Sequence, residues 1–414
     1  MLRASALHMV IVIALVIAVI CSSLITAAYF YRLQYQKTVR YHQLEDNLSS
    51  AINMITVGAI TPSQKFSLFN TVNDTVLVER REWGLFDIGI ARAFIQSDTI
   101  RKAFSIASLP DSAKQSALYI IDEDRNISVS GKTEIRGTAY LPKAGIKQAY
   151  VNSQAYQGDS RLVIGEKKVS GRELPELNTL FLKRIEAGLK PTNKNDSIGS
   201  INEMLTRSFL KETLHVNAGK QVITLSTALW GNIIIHSDTL LVIDSTAKFD
   251  NILIFAKAIK VSSGFKGNCQ LFASDSISVG ANCRFNYPSV LAVAGFDATP
   301  KGQRKLAIGH HTQINGVLLV YEKAKTELLP VIMMDKQSEV KGQIYCNGLI
   351  NYQDGTEIKG SVYTKRFLYQ TGYTRYENYL INIRINRPAL SKYYLSSCIF
   401  PSVPTNQFVL QWLN

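Results

Sequence analysis

The residues best equipped for chemistry are few and scattered. His310-His311 could hold a transition metal if further donors converged on it, but it falls in a turn between Ile308 and Ile314, where a solvated loop pair is expected. Asp122-Glu123-Asp124 offers hard oxygens of the kind that bind Ca²⁺; followed by Arg125-Asn126, it reads as an acidic hairpin tip. Cys21, Cys269, Cys283, Cys346 and Cys398 are odd in number and hold no Cys-x-x-Cys spacing. That argues against a disulfide framework and makes the middle three small core residues. No Gly-rich phosphate loop, Gly-x-Ser-x-Gly elbow or His-Glu-x-x-His occurs, and no carboxylates recur at a fixed period. The chain is accordingly expected not to be an enzyme and to carry no cofactor or metal.

The elements around these residues are more informative. Thr133-Glu-Ile-Arg-Gly-Thr-Ala-Tyr140 and Thr356-Glu-Ile-Lys-Gly-Ser-Val-Tyr363 are nearly one phrase written twice, with looser copies between. Aligned on an apolar residue, copies start at Trp230, Phe249, Phe265, Phe285, Ile314, Val340 and Ile358, at steps of 19, 16, 20, 29, 26 and 18 residues. Steps near 18 suggest three six-residue sides of a triangular coil, and the longer ones suggest coils carrying loops. The inward corners would be Ile135, Phe249, Phe265, Phe285, Ile314, Val340 and Ile358. Gly137, Gly267, Gly316, Gly342 and Gly360 follow two places on, where the chain bends tightly. The expected fold is mainly β: a parallel β-solenoid (β-helix) with an N-terminal transmembrane helix and a small α/β insertion. An antiparallel sandwich is the competing reading, since it too shows short strands between turns.

Met9–Ala28 is an uncharged apolar run, long enough as a helix to cross a bilayer, and Tyr29, Phe30, Tyr31 and Arg32 follow it like an interfacial belt. A cleavable signal peptide ending at Thr26-Ala27-Ala28 is the alternative. Helical spacing continues through Leu33, Leu44, Leu48, Ile52 and Ile55. The expected domains are a tail at 1–8, the span at 9–28, a helical stalk at 29–60 and a β-rich segment at 61–150 holding a first solenoid-like coil. A helical insertion at 151–222, with helices over Leu174–Ala187 and Ile201–Leu210, would precede the solenoid at 223–371 and a cap at 372–414.

Two resemblances follow. The recurring apolar-Lys-Gly-x-apolar-Tyr phrase over about 223–371 resembles bactofilins and related polymer-forming bacterial β-helices, which implies self-association through the ends of the β-helix. The long N-terminal helix, apolar first and amphipathic afterwards, is similar to that of type IV pilins and their minor pseudopilin relatives. This implies an envelope or pilus-type assembly. Asp74, Asp98, Asp111, Asp196, Asp238, Asp244 and Asp275 each open an Asp-Ser/Thr triplet that resembles the O-glycosylation signal of exported Bacteroidota proteins. The expected setting is the bacterial inner membrane, single-pass, with a periplasmic or cell-surface body. Arg32, Lys37 and Arg40 against Arg3 alone argue for the reverse orientation.

The net charge is +14, from 46 Lys+Arg against 32 Asp+Glu in 414 residues, and favours anionic partners. With no recognition helix or basic block, specific nucleic-acid binding is not expected. The reading is therefore a membrane-anchored structural or assembly protein, pilin-like in its helix. Its alternatives are a surface module for anionic polysaccharide and, last, a β-helix carbohydrate enzyme. Outward stacking of Tyr345, Tyr363 and Tyr369 would favour sugar binding.

Overall fold

A computed structural model describes residues 2–58, 63–68, 74–110, 115–191, 203–299, 302–324, 326–400 and 406–413. The chain divides into two compact units, residues 1–80 with 89–102 and residues 81–88 with 103–414.

The first unit is built on helix α1, Leu2–Val57, 56 residues in one piece and about 84 Å long at the usual rise per residue. No Gly or Pro interrupts it, and Gly58 follows its last residue, its N–H donating to the Met54 carbonyl. In the apolar part, Ser23 and Thr26 return their hydroxyls to the Ile20 and Ser22 carbonyls, so neither is left wanting a partner. Leu44, Leu48, Ala51 and Ile55 are buried, one every three or four residues, and define the packed face of the C-terminal half. Arg40 donates to Gln96 at 3.0 Å and pairs with Asp98 at 3.4 Å. Strand Ser63–Ser67 lies antiparallel to Thr75–Glu79.

In the second unit, Gln407–Leu413 runs antiparallel to Ala103–Ser108, and most other strands are parallel. The expected β-solenoid is corrected here. In place of separate six-residue sides joined by turns, the parallel strands join in one closed barrel. Lys248–Val261, Lys266–Val279, Glu339–Tyr352 and Glu357–Gln370 are each 14 residues long and bend without breaking. Glu339–Cys346 pairs with Gln313–Val320, while Leu349–Tyr352 of the same strand pairs with Val331–Met334. The bends fall at register shifts, such as Cys346/Leu349 and Ala256/Ala258. A bulge turns a strand while keeping its hydrogen bonds on either side, so the sheet continues around each corner. A three-stranded sheet of Tyr379–Ile381, Ile127–Ser130 and Ile146–Gln148 stands apart from the barrel.

The copy around Ile135 is not placed before the main run. Leu118–Ile120 pairs with Val362–Thr364, and Glu134–Arg136 pairs with Arg384–Asn386, which itself adjoins Glu357–Ile358. The two near-identical phrases are thus brought within one strand of each other from more than 200 residues apart. Between them in sequence, the described residues of 151–222 hold one helix, α2 (Thr179–Leu189), capped by the Asn178 side chain, together with short strands. In place of the helix expected over Ile201–Leu210, the described residues 203–210 hold strand Leu205–Arg207 and a turn, because Leu205–Arg207 pairs with Leu229–Gly231. Residues 192–202, in this same insertion, lie outside the described residues.

Candidate functional site

Neighbouring strands bring Phe249, Gly267, Phe285, Ile314, Val340, Ile358, Ile385 and Ile135 opposite one another in that order, all facing the core. Phe265 is not in this row. It sits two residues earlier, fully buried, with its ring 5.5 Å from that of Phe249 and 5.4 Å from that of Phe285. The reason is volume: a Cβ on Gly267 would come within 2.7 Å of the Phe265 ring, which fills the place a corner side chain would take. At the Trp230 copy, Leu229 faces inward and Trp230 outward, one residue off the expected alignment.

Gly316, Gly342 and Gly360 are likewise in register, at φ of 146°, 149° and 154°. A Cβ on Gly342 would lie 1.9 Å from the Gly316 carbonyl oxygen, and one on Gly360 would lie 1.7 Å from that of Gly342. Only glycine fits. Gly137, at φ 112°, faces Ala117 and Arg387 instead. A signal missed in the sequence stands two residues before the row. Thr133, Thr312, Ser338 and Thr356 are buried there, and their hydroxyls donate to carbonyls of the preceding turn or a neighbouring strand. Small hydroxyl residues at a fixed offset would have revealed it.

The tyrosines form a ladder. Tyr345, Tyr363, Tyr119 and Tyr140 lie on successive strands, with ring centroids 6.3, 6.1 and 5.2 Å apart. The ladder is covered: Phe400 stacks on Tyr363 and the Tyr345 hydroxyl donates to the Pro175 carbonyl. Burial raises the Tyr363 phenol, and raises that of Tyr369 to about 12. Tyr345, Tyr363 and Tyr369 are each at most 5% exposed, so they offer no platform for a sugar ring.

A dense cluster of charge surrounds Arg304, whose side chain is 5% exposed. Its guanidinium donates to Asp275 at 2.7 Å and to Asp297 at 2.9 Å, and stands 3.8 Å from Glu322. Gly295 makes the room, since a Cβ there would meet Nε at 2.5 Å. Burial raises the Glu322 carboxyl, with Arg304 opposing it. Asn347 fixes the Glu322 backbone by accepting from its N–H and donating to its carbonyl. Glu322 also borders a cleft of about 410 Å³ with Glu123, Arg172, Lys323 and Arg366. Here Arg366 is held by Glu123 at 2.9 Å and by Glu377 at 3.8 Å. These are paired ions that tie strands together, and no nucleophile beside a base is among them.

The other candidates do not converge. Asp122 accepts from the Asp124 N–H, Glu123 turns to Arg366 and Asp124 to Arg172. His310 stands 3.8 Å from Asp335. Among the described residues no group of three His, Cys, Asp or Glu is arranged to hold a metal. Cys269 and Cys346 are buried, and burial pushes the Cys346 thiol up to about 12, so it is inert. Of the seven triplet aspartates, Asp111 and Asp196 lie outside the described residues. Asp244 accepts from Thr246 within its turn, and Asp275 holds Arg304.

No protein-family model and no curated protein matches the chain. Among solved structures it is similar to the competence-associated pilin ComZ from Thermus thermophilus, at 11% identity over 92% of this chain and 95% of that one. The TM-score is 0.22, too low for the likeness to carry an argument. Nothing found connects the repeats with bactofilins.

Proposed function

We propose that this chain is a membrane-anchored structural protein of the bacterial envelope, pilin-like in its helix, and not an enzyme. The observation behind this reading is the two-part character of α1. It is one helix long and apolar enough to cross a membrane, with no residue of its most apolar stretch buried, and it runs on without a break into a half whose apolar face is packed. A helix that exposes Val10 to Ile25 to solvent is unstable as such, whereas a bilayer removes that surface from water. The chain that carries the helix thereby tethers its β-rich remainder to the anchor, as an assembly element requires.

Membrane fractionation tests the reading. The full chain is expected to resist extraction by alkaline carbonate and to be released by detergent. A variant lacking residues 2–31 is expected to be soluble without detergent. If that variant pellets with membranes as firmly as the full chain, the anchor is not α1 and the proposal fails.

A further inference from the structure

Lys248, Lys266 and Arg284 are partners on three adjacent parallel strands, each opposite the next, and all three are exposed. Neighbouring strands lie about 4.8 Å apart, so the three cations form a straight row on a rigid support. Among the described residues none of them enters an ion pair. The row ends where compensation begins. Its next member is Gln313, and then comes Glu339, which holds Lys341 at 3.3 Å and Lys359 at 2.6 Å.

Two residues further along each strand stand Trp230, Asp250, Asn268, Asn286 and Asn315, of which Asp250 and Asn286 are exposed, Trp230 and Asn315 half-buried and Asn268 buried. The single carboxylate among them, Asp250, accepts from Asn251 at 3.2 Å and from Asn268 at 3.4 Å. The face therefore presents unpaired cations at even spacing, the exposed Asn286 carboxamide beside them, and the half-buried Trp230 ring at one end.

We infer that this face binds a linear acidic polysaccharide, with uronate carboxylates on Lys248, Lys266 and Arg284 and a sugar hydroxyl on Asn286. Charge complementarity selects an extended polyanion. The choice against single-stranded nucleic acid rests on the rings: such strands are held by successive aromatic platforms under their bases, and these two rows contain one ring. The choice against a membrane surface rests on the missing apolar side chains that would enter the lipid boundary. This surface is independent of how the chain is anchored.

The test uses the full chain in detergent micelles and a fluorescent oligogalacturonate, titrated at low and physiological salt. The triple variant Lys248→Gln, Lys266→Gln, Arg284→Gln is compared with Lys143→Gln, Lys147→Gln, Lys167→Gln, which removes the same charge from other exposed positions. The first is expected to weaken binding about tenfold or more, the second less than about twofold. All six side chains are exposed, and unchanged thermal melts confirm that both variants fold. Equal weakening by the two variants, no binding of the uronate, or preference for an oligothymidylate or for anionic vesicles overturns the assignment.

Discussion

At the scale of single residues, the glycines of the parallel strands are the least replaceable positions. Gly342 combines a φ of 149° with a carbonyl where its Cβ would go, and that carbonyl belongs to another glycine in the same row. Gly342→Ala is therefore expected to cost about 3 kcal/mol or more, through strain and displaced backbone together. Gly264→Ala, where nothing lies within 4 Å of the new Cβ, should cost much less despite its φ of 85°. Chemical denaturation of the two variants compares them, and equal losses would contradict the close-packing account. These glycines were legible in the sequence as a recurring Lys-Gly or Asn-Gly pair. Gly267 was legible too, but its role was not, because only packing shows that Phe265 fills the space it vacates.

At the scale of elements, α2 covers an outward ladder of rings. His215, His236, Phe255 and Phe272 follow one another at 6.2, 5.4 and 5.0 Å, and Gly188 lies against Phe255 closely enough to exclude a Cβ. Burial first, and the neighbouring His215 second, lower the His236 imidazole to about 4, while Asp238 and a hydrogen bond to the Gly188 backbone carbonyl work in the opposite direction. An unfolded histidine takes its proton near pH 6.5, so between about 6.5 and 4 the unfolded chain binds a proton that the folded one refuses. Folding stability should thus be greatest above pH 6.5 and fall as the pH drops through this window. His236→Phe, which continues the stack without a titrating group, should flatten that slope in denaturation measured at several pH values. An unchanged slope would remove His236 as its source. The helical period of Leu174–Ala187 pointed to α2, whereas Ile201–Leu210 misled: its apolar spacing suits either element, and strand pairing with Leu229–Gly231 decided it.

At the scale of the whole second unit, an early segment of its sequence is tied to a late one. Ile127–Ser130 and Glu134–Arg136 depend on Tyr379–Ile381 and Arg384–Asn386, the latter adjoining the start of Glu357–Gln370. Buried Tyr352 secures the junction, its hydroxyl donating to the Tyr379 carbonyl and accepting from the Ile381 N–H. A chain ending at Gln370 should then lose amide protection at Val129 and Ile135 while Leu291 and Leu318, inside the barrel, keep theirs. Hydrogen exchange resolves the two regions. Uniform loss would mean that the unit opens only as a whole.

From the sequence alone came the mainly β content, the single apolar helix and the periodic glycines. Each of these is local: a run of uncharged residues, an alternation or a repeated pair carries its own physical preference. Tertiary structure decided that the parallel strands close into a barrel around bulged corners, that the first copy of the repeat pairs beside the last, and that the tyrosines are covered. Those outcomes depend on which distant strand supplies the hydrogen bonds and on which segment excludes water. Identical short phrases cannot encode the choice among equally compatible partners, so closure and cover are settled by packing.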